Sequence, residues 1–407
     1  MQQEVVIASA CRTAIGKFQG TLKDTPVKEL GALVGRAAIT RAGITPDDID
    51  EIICGNVIQA GLGGNIARQI QGGIGVPWSA PACTVNQLCA SSMRALEIGF
   101  HTIMFGSADV CLIVGVENMT MAPYLLLKGR SGYRMGPGTL EDAMLHDALT
   151  CSVENYHMGM TAENVASRYA ISREEQDRLA VLSHERAVKA IKEGTFKDEI
   201  VPVEIQQRKQ TITFDTDEHP REGTTEESLS MLKPVFKKEG TVTAGNASGI
   251  NDGAAAVVLM SSRRAREAGI TPLARVIASV SAGVEPPLMG LGPAAAIPRA
   301  LKKAELSFDA IDYWEINEAF AAQFIGVQRK LKEEHGFSPA MEKVNRNGSG
   351  ISLGHPVGCS GLRIIVTLIH EMKKVGARHG CASLCAGGGP AMATNIANEQ
   401  GVNTHGK

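Results

Sequence analysis

The chain has 407 residues, with 41 lysines and arginines against 43 aspartates and glutamates and a formal net charge of −2, so it offers no general attraction for nucleic acid or an anionic membrane. Hydrophobic residues at 44% and charged residues at 21% exclude disorder, while 44 glycines beside only 4% aromatics point to small side chains and close backbone approach. At roughly 150 residues per domain the length allows two or three domains, each with its own core.

The opening MQQEVVIASACRT has an acid at Glu4 and no basic start, so it reads as neither a secretory signal nor a transit peptide. No apolar run approaches the roughly 20 residues that span a bilayer; the expectation is a cytoplasmic protein without a membrane. VVIASACRTAIG (5–16) predicts a strand entering a glycine-bearing loop, and DDIDEIICGNVIQAG (47–61) a strand after an aspartate-rich approach. NQLCASSMRALEIGFHTI (86–103) predicts a small-residue loop opening a helix, and ADVCLIVGVEN (108–118) a further strand.

Residues 120–245 differ in character. They carry more charge, include KGRSGYRMGPG (128–138), and predict a helix over 172–194 that opens on Ser172 and Glu175 in capping-box spacing and stops at Gly194. This middle region reads as an insertion lying over the core as a lid. GTVTAGNASGINDGAAAVVLM (240–260) then runs from a polar, small-residue loop into a strand; its composition suits a phosphate cradle, but it lacks the GxxxxGK[ST] spacing.

Beyond it the first pattern returns. RVIASVSAGVEP (275–286), DAIDYWEINEAFAAQ (309–323), HPVGCSGLRIIVTLIHEM (355–372) and HGCASLCAGGGPAMATNI (379–396) answer the four earlier segments in order, at offsets of about 262–271. Four matches in one order imply duplication of an α/β unit. Alternating strand-like and helical runs predict a mainly parallel sheet with helices on both faces. The expected organisation is a first half over 1–119, completed by about 246–272, a lid over 120–245, and a second half over 273–407.

Nine cysteines, at 11, 54, 83, 89, 111, 151, 359, 381 and 385, show neither metal-ligand spacing nor a disulfide framework. Most read as small buried hydrophobes. Cys89 stands where a helix begins, and the N–H groups and dipole there favour a thiolate; Ala90, Ser91 and Ser92 leave room for an acyl group. A buried structural cysteine is the alternative. His355, between Gly354 and Pro356, is either a base within reach of a ligand or a turn histidine bonded to a carbonyl. Cys385 ends a strand before Gly387–Gly389, whose N–H groups can approach a substrate oxygen. Asn317 and Glu318 end a strand where open α/β sheets hold ligands, with a plain turn asparagine as the alternative.

Taken together, NQLCASSMRAL, GNASGINDGAAA, NEAFAAQ, GHPVGCSG and CAGGG resemble the thiolase family in order and spacing, over essentially the whole chain. YHMGMTAENVA (156–166) resembles the lid segment of its short-chain, acetoacetyl-CoA-type members. The resemblance implies an α/β fold with a duplicated, five-layer αβαβα core and an inserted lid, assembled as a dimer or as a homotetramer, a dimer of dimers, of which the homotetramer is the expectation. It implies reversible condensation of two acetyl-CoA to acetoacetyl-CoA and CoA; thiolysis of longer 3-ketoacyl-CoA is the alternative, and non-catalytic CoA or lipid binding a third. CoA is then substrate and product, with no cofactor and no metal.

Residue by residue, the resemblance makes Cys89 the acylated nucleophile and His355 its base. His355 and a water held by Asn317 would bind the enolate oxygen, Cys385 would move the α-proton, and the N–H groups of Cys89 and Gly387 would hold the acyl oxygen. Arg221, Ser228, Phe236, Ala244 and Ser248 would hold the CoA arm, with His157, Met158, Met289 and Phe320 around the reactive end. The chain departs from the family pattern at Ala90 and Ser92, where glycine is common, at Pro390, and in a longer QRKLKEEHGFSP (328–339). Bulk beside Cys89 would narrow the acyl pocket.

Overall fold

In the computed structural model, which describes residues 3–206 and 210–398, one order of elements is run through twice. The first pass holds β1 (Val5–Arg12), α1 (Val27–Ala42), β2 (Glu51–Gly55), α2 (Ile66–Ile74), β3 (Ala82–Val85), α3 (Ser91–Met104) and β4 (Val110–Asn118). A long insertion with α4 (Met158–Arg168) and α5 (Arg173–Lys192) follows, and β5 (Asn251–Ser261) closes the unit. The second pass holds β6 (Ala274–Gly283), α6 (Gly292–Ala304), β7 (Tyr313–Ile316), α7 (Ala321–His335), α8 (Val357–Val375), β8 (His379–Cys385) and β9 (Pro390–Ala397). Local chemistry sets several ends. Ser172 and Glu175 form the capping box that opens α5, and α1 stops on the left-handed Gly43.

Among the described residues the strands form a ten-stranded sheet in the order β7-β8-β9-β6-β1-β5-β4-β2-β3, with the short strand Gly16–Lys17 beside β5. Outward from β1 the neighbours are antiparallel β5, antiparallel β4, then parallel β2 and β3. Outward from β6 the same senses recur in β9, β8 and β7, and a parallel bridge from Trp314 to Val344 stands in the place of β3. The duplication expected from the sequence is therefore present in four strands of each half, with a single bridge answering the fifth. The halves join through β1 and β6, where Val5, Val6 and Ile7 pair with Val276, Arg275 and Ala274.

The sheet is not mainly parallel, which corrects the sequence expectation. Helical crossovers return β2, β3 and β4 in parallel, but β9 follows β8 through the tight turn 386–389 and must run back against it. Its counterpart β5 enters beside β4 in the same antiparallel sense from the far end of the insertion.

Alternating residues show how the layers stack. Leu112, Val114, Ala256 and Val258 pack with Val34 of α1 and Ile70 of α2, whereas Ile113, Val257 and Leu259 pack with Leu96 of α3 and Ile365 of α8. From the second half, Leu384, Met392 and Ile396 reach the same central helices, while Cys381, Ala391 and Ala393 pack on Ile297 of α6 and Phe324 of α7. The result is five layers, αβαβα. Central α8 is buried without a break from Val357 to Ile369, as a helix between the two halves of the sheet must be.

The insertion docks on this core through buried charge. Arg12, fully buried at the end of β1, holds Glu199 at 2.6 Å and Asp217 at 2.7 and 3.0 Å, and Asp217 also accepts the Ile15 N–H at 2.7 Å. Removing one partner strands the guanidinium in a low-dielectric interior. Asp217→Ala should lower stability by about 3–5 kcal/mol in urea unfolding, whereas Glu222→Ala, in an exposed pair with Lys192, should stay within about 0.5 kcal/mol of the parent.

Candidate active site

Strand-end loops from both halves and the insertion enclose a cavity of about 670 Å³. Cys89 precedes α3, Cys385 ends β8, and His355 precedes α8; all three line it, together with Gly387. The cavity is walled mostly by apolar side chains, so charge placed there is poorly solvated.

Cys89 sits on a strained elbow. Leu88 holds φ at +48°, outside the comfort of a branched residue, and the turn is maintained by Asn86, whose Oδ1 accepts the Leu88 N–H at 2.9 Å. Ser91 Oγ donates to the Leu88 carbonyl at 2.6 Å and accepts the Gln87 N–H at 2.9 Å. The thiol is half-buried and open to the cavity. Burial pushes its pKa up to about 11, against the lowering from the N–H groups of Gly387 and of Cys89 itself. The thiolate favoured by the helix start in the sequence reading is thus not the resting form, because desolvation outweighs that field.

Ala90, Ser91 and Ser92 do not face an acyl group either. All three are buried, and Ser92 bonds across to α8, accepting the Leu362 N–H at 2.9 Å and donating to the Cys359 carbonyl at 3.1 Å. The extra bulk at these positions is absorbed between the helices and does not narrow the pocket beside Cys89.

His355 is 5% exposed. It follows Gly354, whose φ of +102° turns the chain into the cavity, and its N–H is held by Asn251 Oδ1 at 2.9 Å. Nδ1 lies 2.5 Å from Ser360 Oγ, while Nε2 has no hydrogen-bond partner. Burial and then the Arg363 charge push the imidazole down to about 3, so it is neutral at physiological pH. Asn317 is placed differently from Cys89 and His355. It is fully buried, lies outside the cavity wall beside Gly350, and both amide atoms lack a partner. Glu318 is also buried, and holds Ser183 and Asn345 instead of facing the cavity.

Cys385 is almost fully buried, and desolvation, with a further contribution from nearby Cys89, raises its pKa well above the ordinary thiol range. Gly387 presents its N–H toward Cys89 Sγ. Two neutral thiols and a neutral imidazole therefore share one apolar space.

Of the residues expected along the CoA arm and its reactive end, His157, Met158, Arg221, Phe236, Ala244, Ser248, Met289 and Phe320 line this cavity. His157 caps α4, accepting the Gly159 N–H at 3.0 Å, and stacks on Phe236 at 4.6 Å. Ser228 is the exception. It is exposed and spends its hydroxyl on Thr225, capping the short helix Glu226–Ser230. Lys17, Met119, His219 and Val357 also line the cavity and were not singled out from the sequence. Val357 adjoins the GHP turn and Met119 follows a predicted strand, but Lys17 and His219 carry no local signal. Among the described residues no three His, Cys, Asp or Glu side chains are grouped to hold a metal ion, and no helix is long and apolar enough to cross a membrane.

The family models "Thiolase, N-terminal domain" and "Thiolase, C-terminal domain" match residues 5–263 and 270–398. An acetyl-CoA acetyltransferase of Syntrophomonas wolfei is 52% identical over 395 residues, covering 97% of this chain and 98% of the relative. The solved acetyl-CoA acetyltransferase structure from that organism superposes with a TM-score of 0.97 at 49% identity, over 98% of this chain and all of the other. Human mitochondrial 3-ketoacyl-CoA thiolase superposes with a TM-score of 0.93 at 40% identity, over 98% and 99% of the two chains.

The depressed His355 pKa has a measurable consequence. Between pH 6.5 and about 3 the unfolded chain takes up a proton that the folded site refuses, so stability falls as pH falls through that window. At pH 5 this one residue should account for about 2 kcal/mol. Urea unfolding at pH 7 and pH 5 should show a smaller acid loss in His355→Asn than in the parent; equal losses would refute a buried neutral imidazole.

Proposed function

The chain belongs to the thiolase family, and we propose that it is an acetyl-CoA C-acetyltransferase, reversibly condensing two acetyl-CoA to acetoacetyl-CoA and CoA. Two thiols and a neutral imidazole lining one apolar cavity carry this proposal. Full-length similarity to proteins named acetyl-CoA acetyltransferase supports the choice of substrate.

In the first half-reaction His355 Nε2 takes the proton from Cys89. The sulfur attacks the thioester carbon of acetyl-CoA, the C–S bond to CoA breaks, and the leaving CoA sulfur takes the proton back. The N–H groups of Cys89 and Gly387 stabilise the acyl oxygen. In the second, Cys385 passes its proton to His355 Nε2, the resulting thiolate removes the α-proton of a second acetyl-CoA, and the carbanion attacks the acetyl group on Cys89, expelling the Cys89 sulfur, which takes the proton from Nε2. A thiol that ionises reluctantly gives a strongly basic thiolate, suited to a weakly acidic C–H. The protonated Nε2 of His355 and a water on Asn317 meet the enolate oxygen, and the unpartnered buried atoms of both residues support that assignment.

CoA enters as substrate and leaves as product, with no further cofactor. We place the protein in the cytoplasm as a homotetramer. The exposed apolar side chains of Tyr124, Leu127, Met135 and Leu140 in the insertion, each at least 62% exposed, support contact with another copy, and light scattering tests it.

Cys89→Ala should lower thiolysis and condensation by roughly 1000-fold or more, and iodoacetamide should label Cys89 in step with inactivation. Retained activity, or inactivation that tracks another cysteine, would overturn the assignment. The similarity to 3-ketoacyl-CoA thiolase keeps a longer-chain substrate as the second reading. A thiolysis series should favour acetoacetyl-CoA; a clear preference for longer 3-ketoacyl-CoA would select the alternative.

A further inference from the structure

His355 has two ring nitrogens, and only one arrangement of a single proton leaves it able to act on Cys89. Its Nδ1 faces Ser360 Oγ at 2.5 Å, and the same Oγ lies 2.9 Å from the Pro356 carbonyl oxygen. Ser360 is fully buried on the first turn of α8, so its hydroxyl has no solvent alternative. A hydroxyl has one proton. If that proton pointed at Nδ1, the serine and carbonyl oxygens would face each other at 2.9 Å with lone pairs opposed. Donation to the carbonyl four residues back removes this repulsion and is the ordinary habit of serine in a helix. The serine lone pair then has to accept, which places a proton on Nδ1 and leaves Nε2, unpartnered and buried at the cavity, bare.

We propose that Ser360 is a positioning residue that fixes His355 as its Nδ1–H tautomer, so that the Nε2 lone pair is directed into the cavity as the base for Cys89. The inference rests on the reading of His355 as that base and adds the group that decides its protonation pattern. Asn251 has a separate task. It holds the His355 backbone N–H and is itself tied to the Gly16 carbonyl at 3.0 Å, so it sets where the imidazole starts and leaves the choice of protonated nitrogen to Ser360. When Nε2 takes the Cys89 proton, Nδ1–H is already satisfied by Ser360, and no hydroxyl has to turn during the step.

The test uses the full chain with 15N-labelled histidine, the His355 signals being assigned by their loss in His355→Asn. The wild type should show a protonated Nδ1 and an unprotonated Nε2, and a proton on Nε2 in the resting protein would overturn the proposal. Ser360→Ala should move the proton toward Nε2 and lower kcat for acetoacetyl-CoA thiolysis by roughly 10- to 100-fold with little change in KM. An unchanged kcat, with His355→Asn still inactive, would overturn the role of Ser360 and leave that of His355 standing. A His355→Asn protein of full activity would instead overturn the base assignment itself. Should Ser360→Ala fail to fold, the wild-type spectrum decides the matter alone.

Discussion

The hydroxyl of Ser92, near the start of α3, bridges to α8 by accepting the Leu362 N–H and donating to the Cys359 carbonyl. The two central helices come this close because Gly361 presents no side chain; a Cβ there would lie 2.8 Å from the Met93 nitrogen. Cys89 hangs from the start of one helix and His355 from the start of the other. Each helix belongs to a different copy of the duplicated unit. Locking them together therefore sets the separation of Cys89 and His355, the proposed nucleophile and base, and the half-sheets packed on either side keep that lock dry.

Dryness governs the chemistry as much as distance does. Burial raises both thiols and depresses the imidazole, so these three groups rest uncharged. A mostly apolar wall suits an acyl thioester and a pantetheine arm, and in the proposed reaction an ion formed beside it is poorly solvated and favours the next transfer. In the proposed reaction the donors assigned to negative oxygen, the Gly387 N–H and a water on the Asn317 amide, rest on the backbone or on a buried side chain and need no reorganisation when charge appears. The pairs with Glu199 and Asp217 around Arg12 contribute at longer range by holding the insertion over the site.

Much of this was legible in the residues. The repeated segments 5–16 and 275–286 became β1 and β6, and 86–103 and 355–372 became α3 and α8, because hydrophobic spacing and small-residue starts are local properties. The Ser172 capping box was readable for the same reason. The sheet sense was not. Alternating strands and helices suggest crossovers throughout, until the turn 386–389 is seen to fold β9 back on β8. Ser228 had the right neighbourhood in the chain but the wrong side of a short helix, and Lys17 and His219 reach the cavity from segments with no chemical signature of their own.

The sequence by itself determined the kinds of groups available: two thiols, an imidazole and an amide, each beside glycine or at an element's end, within a duplicated α/β chain. Tertiary structure decided their states. Whether a helix start lowers a thiol pKa depends on how much water the surrounding layers exclude, and here exclusion wins at Cys89. Which imidazole nitrogen carries the proton is, in our proposal, set by a serine hydroxyl one helical turn away that donates to the carbonyl four residues before it. Solvation arises from layers converging from distant parts of the chain, so no local pattern encodes it, whereas the contacts among His355, Pro356 and Ser360 span five residues and take their geometry from the start of α8.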